Sequence, residues 1–122
     1  MMSAFWARAA RGKKMETISA RVGRILKDLG ESADQVARAL KAQGIQGVRN
    51  TVRTLNPIVR FVQKSLLLSN LGMDVINPKA FRIILLDGSQ VETALPPAIR
   101  EFLDVFDQGG YPDLEMAFEK PD

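Results

Sequence analysis

The chain has 122 residues, 46% of them hydrophobic, which suits one domain able to bury a core without staples. It has no His and no Cys, which excludes disulfides, imidazole and thiol catalysis, and most metal sites legible in a sequence. The net charge of +3 conceals a split: residues 1–64 carry thirteen Lys/Arg against four Asp/Glu, residues 65–122 four against ten. Such halves attract one another or a charged partner.

In chain order, residues 1–14 are basic and acid-free, with Arg8, Arg11, Lys13 and Lys14. They lack the apolar stretch of a secretory signal and read as an extension before Met15. Phe5 and Trp6 within it could anchor in a groove or stack on bases; an extension without a role is the plainer reading. Ile18, Val22, Ile25, Leu26 and Leu29 recur at helical spacing, predicting an amphipathic helix over 16–29 that ends at Gly30. Ser32-Ala33-Asp34-Gln35 is a capping-box pattern opening a second helix to about Gln43, with Val36 and Leu40 inward and Arg38 and Lys41 outward. Val48, Val52 and Leu55 suggest a short third helical piece ending before Pro57. Asn56-Pro57 restarts the chain as N-cap and first helical residue.

The helix from Pro57 to about Leu68 is the most apolar element. Ile58, Phe61, Val62 and Leu66 form one face, and Val59, Leu67 and Leu68 wrap beyond it. A helix apolar over most of its circumference is central to a core or shared with a second subunit. Past Gly72 the period changes. Phe81–Leu86, Asp87-Gly88 and Gln90–Leu95 spell a hairpin, with Met73–Ile76 as a third short strand. Pro96-Pro97 opens a last helix with Ile99, Phe102, Leu103 and Phe106 inward, closed by Gly109-Gly110. Its Phe102 and Phe106 are expected against the hairpin and the helix from Pro57. The reading is α+β: N-terminal helices, a small antiparallel hairpin or three-stranded sheet, and a closing C-terminal helix. One domain spans 15–110, and 111–122 is expected to be an irregular acidic tail.

Three stretches resemble a scattered set of short bacterial proteins of uncharacterised function. They are residues 39–49 (ALKAQGIQGVR), Asn56-Pro57-Ile58, and residues 95–114 (LPPAIREFLDVFDQGGYPDL). The last is the most specific, and the similarity spans about residues 20–115. A Cys often precedes the Pro-Ile in that set; Asn56 stands here, so any role of that thiol is absent. The resemblance implies a compact bacterial or phage-type domain and brings no activity.

Gly44-Ile45-Gln46-Gly47, followed by Arg49 and Arg53, could present amides to phosphates as KH domains do. Those domains usually place an apolar residue three positions after the second glycine, where Asn50 stands. A helix C-cap followed by a tight turn accounts for the pattern more simply. A helix-turn-helix over 32–55 would make Val48–Leu55 the recognition helix, only about two turns long and then broken. Glu101, Asp104, Asp107, Asp113 and Glu115 could face a cation. Asp104 and Asp107 sit at the negative end of a helix, where a basic partner surface fits better than a metal.

The sequence therefore points to a small non-enzymatic binding module that is cytoplasmic, has no cofactor and no metal, and self-associates or docks on a protein. A homodimer is expected, with Leu67 or Leu68 at its interface and Arg60 or Lys64 facing Asp104 or Asp107. The alternative is a nucleic-acid-binding protein using Gly44, Gly47, Arg49 and Arg53. No apolar run reaches the ~18 residues of a membrane span, and no motif sets a base beside a nucleophile.

Overall fold

A computed structural model describes residues 17–66, 71–76 and 79–116. In chain order its main elements are α1 (Ile18–Asp28), α2 (Ala33–Ala42), α3 (Pro57–Leu66), β1 (Gly72–Ile76), β2 (Ala80–Ile84), β3 (Gln90–Ala94) and α4 (Pro97–Asp107). A 3-10 turn, Pro112–Leu114, closes the described chain. The architecture is α+β, as the change of hydrophobic period predicts.

Local chemistry sets the boundaries. The Thr17 hydroxyl accepts from the Ala20 amide at 3.0 Å and starts α1. Ser32 accepts from Gln35 N at 3.2 Å and starts α2. The Gln35 side chain reaches back to the Glu31 amide at 2.7 Å, one residue beyond the reciprocal partner of a capping box. Asn56 caps α3, its Oδ1 accepting from Ile58 N and Val59 N at 2.8 and 3.3 Å. The hairpin turn holds three residues between Leu85 and Ser89. Gly88 supplies φ +88°, and the Asp87 carboxylate accepts from both Ser89 N and Ser89 Oγ.

The strands pair antiparallel in the order β1-β2-β3. Because strand side chains alternate, Met73, Val75, Phe81 and Ile83 share the buried face. Asp74, Arg82 and Glu92 lie in one cross-strand row on the other face. There Arg82 forks onto Asp74, with Nε 2.9 Å from Oδ1 and a second bond from Nη2 to Oδ2. α1 packs on β3 and α3 on β1, while α2 lies against α4 and the 3-10 turn.

The outer edges of the sheet meet the chain itself. Val75 N donates to Val52 O at 2.8 Å along β1. At β3, the Ser19 hydroxyl of α1 donates to Glu92 O at 3.1 Å, and Thr93 Oγ1 donates to Ser19 O at 3.0 Å.

One core joins all four helices to the sheet. Val59, which the sequence places beyond the inward face of its helix, is fully buried, and Phe61 packs against the core. A single chain thus absorbs much of the apolar circumference of α3. Leu67 and Leu68 lie outside the described residues. Phe102 and Phe106 are fully buried with rings stacked 5.7 Å apart. Their helix lies chiefly against α2, because α1 and α3 already take the sheet.

Two expectations are corrected. Val48–Leu55 is not a helix but an irregular loop. Val48, Thr51, Val52 and Thr54 are β-branched and disfavour helix, and Asn50 adopts φ +61°, incompatible with one. The stretch from Tyr111 to Met116 belongs to the domain rather than to an irregular tail. Leu114 is 2% exposed, and Gly47 and Glu115 form a parallel bridge through Gly47 N to Leu114 O and Met116 N to Gly47 O, each 2.9 Å.

Candidate functional site

The most distinctive surface is the loop from Gly47 to Asn56. It exposes Val52 (44%) and Leu55 (39%), two of the three exposed large hydrophobic residues described. Arg53 between them is exposed, and Arg49 precedes them.

A network of hydrogen bonds fixes the loop. Val48 N donates to Leu55 O at 2.8 Å, closing its neck. Thr51 Oγ1 donates to Val48 O at 2.7 Å. Asn56 is 3% exposed, and its Nδ2 donates to Thr51 O at 2.9 Å while its Oδ1 caps α3. One buried amide thus ties the loop to the helix that follows. Val52 O takes the Val75 amide, and Asn50 N donates to Asp107 Oδ1 at 2.9 Å, fastening the loop to β1 and to the end of α4. At the base, a Cβ on Gly47 would lie 2.5 Å from Pro57 Cδ and 2.7 Å from Leu55 O. Only glycine permits that approach.

Basic residues of the first half meet acidic residues of the second within one chain. Lys41 pairs with Asp113 at 3.1 Å and Arg49 with Glu115 at 3.2 Å. Both pairs are exposed or partly so, which makes each worth little energetically. Lys64, expected at an interface, donates to Gln43 O at 3.0 Å and answers the C-terminal end of α2. The Arg60 Nε is buried without a hydrogen-bond partner among the described residues. Asp107 is taken by the Asn50 amide, whereas Asp104 is exposed and has no cation within 4 Å among the described residues. No ion pair joins Arg60 or Lys64 to Asp104 or Asp107 among those residues.

The Gly-x-x-Gly stretch forms no phosphate cradle. Three of its four amides are occupied by the chain's own carbonyls: Gly44 N by Lys41 O, Ile45 N by Leu40 O and Gly47 N by Leu114 O, at 2.9–3.0 Å. No helix follows it, so the amides gain no N-terminal dipole. Gly44, at φ +70°, serves as the turn after α2.

A concavity of about 490 Å³ lies between α2 and the closing turn, lined by Asp34, Arg38, Lys41, Tyr111 and Asp113 among others. The Tyr111 hydroxyl donates to Asp34 Oδ1 at 2.8 Å, and its ring stacks on Phe102 at 5.3 Å. Burial, then the hydrogen bond to Asp34, push the Tyr111 phenol up to about 12.

No family model matches the chain, and no curated protein or solved structure matches it at a significant level. Among the described residues no helix is long and apolar enough to cross a membrane.

The sequence directs attention to Arg49, Arg53, Asp104 and Asp107, and the structure gathers them around the loop and the end of α4. It leaves Val52 and Leu55 to a helix interior that does not exist. Their exposure was signalled by the β-branched run and by turn-forming Asn50, which favour an irregular loop.

Proposed function

We propose that this chain is a small non-enzymatic binding module that engages a protein, a second copy included, through the Gly47–Asn56 loop. The observation that carries the reading is the display of Val52 and Leu55 around Arg53 on a loop whose backbone is already fixed. Burying exposed apolar residues favours association, arginine is enriched among the anchors of protein contacts, and a preorganised loop loses little entropy on docking. A chain without His or Cys leaves only Ser, Thr, Lys and carboxylates for catalysis, and several of these are engaged in holding the fold. A cytoplasmic setting belongs to the same reading, as does a bacterial source, which rests on the resemblance of residues 95–114.

The test is capture from native lysate on immobilised wild-type protein and on the Val52→Ser/Leu55→Ser variant, each with and without nuclease. Specific proteins retained after nuclease by the wild type, and lost with the variant, support the loop as the binding surface. Recovery that nuclease abolishes, or that the variant leaves intact, overturns it. The first of these results would favour nucleic-acid binding through the basic half instead.

A further inference from the structure

We infer that the partner of this loop is a second copy of the chain, docked about a two-fold axis at the seam between the loop and the end of α4. The inference rests on the reading of the loop as a binding surface and adds the identity of what it binds.

A two-fold interface uses the same patch on both subunits, so the patch must complement itself. The seam meets that requirement. On its basic bank, Arg53 is exposed with no carboxylate within 4 Å among the described residues, flanked by exposed Val52 and Leu55. On its acidic bank, α4 ends with Asp104 and Asp107 and no basic residue in its last turn. Carboxylates there add to the negative end of the helix dipole. Asp107 is answered by the Asn50 amide; exposed Asp104 has no cation within 4 Å among those residues, and Arg100 stands one helical turn before it.

The banks are held in register by the Asn50–Asp107 bond. A cleft of about 160 Å³ opens between them, with Thr51 and Val52 on one side and Leu103 and Asp107 on the other. The loop and the end of α4 together thus carry an apolar projection, a cation, a recess and an anion. A two-fold rotation brings Arg53 to the partner's Asp104, and the apolar loop residues to the recess of the other copy. Every charge contact is made twice. Laying loop on loop would oppose arginines, and like charges across an interface are strongly disfavoured. A foreign acidic protein could satisfy Arg53, but the chain itself carries an exposed carboxylate, Asp104, on the helix to which the loop is fastened.

Sedimentation equilibrium of the full chain at low and high salt tests this, with Arg53→Glu and Asp104→Arg made singly and together. Both positions are exposed, and circular dichroism checks that each variant is folded. The wild type is expected to dimerise, more weakly at high salt, because exposed charge pairs are screened. Each single reversal should weaken the dimer by about tenfold or more, and the double reversal should restore it. A monomer at every concentration, a dimer indifferent to the single reversals, or a double variant that fails to recover would each overturn the inference. A dimer lost in Leu67→Ser/Leu68→Ser but unaffected by the reversals would overturn it too, and would move the interface to residues 67 and 68. If the wild type is monomeric yet lysate capture still depends on Val52 and Leu55, the loop reading survives and only the second copy is refuted.

Discussion

Replacing Asn56 by Ala removes two jobs from one buried side chain, and their sizes can be worked out separately. The Oδ1 cap on Ile58 N and Val59 N is an N-cap, whose loss costs about 1 kcal/mol. The Nδ2 bond to Thr51 O leaves a partly buried carbonyl without its donor, a further ~1–3 kcal/mol. Asn56→Ala should therefore lose about 2–4 kcal/mol, a large fraction of a small domain's stability.

Asn56→Asp separates the two jobs. At neutral pH its carboxylate still accepts from the amides of α3 and is favoured by the helix dipole, but it cannot donate to Thr51 O. Urea unfolding followed by circular dichroism gives the stabilities, and amide exchange by NMR locates the damage. In the alanine variant the Ile58 and Val59 amides should exchange faster. In the aspartate variant they should stay protected, while the Val48 amide, which closes the neck of the loop, loses protection. A loss below about 0.5 kcal/mol for Asn56→Ala, with Val48 exchange unchanged in both variants, would refute the view that this amide holds the loop.

Three further outcomes follow from the packing and the charges. Gly47→Ala should destabilise by about 1–3 kcal/mol, the usual range for overpacking, because its Cβ would press on Pro57 and the Leu55 carbonyl; equal unfolding midpoints for variant and wild type would contradict the close approach. Phe102→Ala or Phe106→Ala should each cost about 3–5 kcal/mol, since both rings are fully buried, and urea unfolding measures it. Tyr111 is the only tyrosine, so its ionisation is read directly by ultraviolet absorbance, with a midpoint expected near 12 rather than the ordinary 10.0. Its contribution to stability is complete below the unfolded value of 10.0 and lost as pH rises through about 12. That share of the alkaline loss should be missing in Tyr111→Phe; an ordinary midpoint in the folded protein would deny the burial of the phenol and its contact with Asp34.

Most of the fold was legible because its signals are local. Ser32 and Asn56 cap helices, Asp87-Gly88 turns a hairpin, and the inward stripe of α4 follows helical spacing. The loop was not legible, for a physical reason: Val48, Val52 and Leu55 have the spacing of a helix face, but the loop is held by Asp107 and Val75, distant in sequence. The same holds for Tyr111–Met116, where Gly and Pro punctuation suggests an irregular tail and the bridge to Gly47 makes it part of the domain. Charge was legible as a total but not as an arrangement. The split between the halves is partly spent inside one chain, on Lys41–Asp113 and Arg49–Glu115, and Arg53 and Asp104 are among the exposed charges left over.

The contact of Ser19 with the edge of β3 bears on how the chain avoids aggregation while it folds. The hairpin of β2 and β3 closes through neighbouring residues, but the hydroxyl that covers its outer edge comes from a residue 73 positions away from Glu92. Nearby contacts form before distant ones, so β3 spends an interval with bare amides and carbonyls, a template for strands of other chains. Glu92 is exposed on that strand, and its charge repels an identical edge until α1 arrives. Glu92→Val should then leave the folded protein sound but make it scatter light on rapid dilution from urea, increasingly so at higher protein concentration. Clear solutions throughout would show that the edge is never bare long enough to matter.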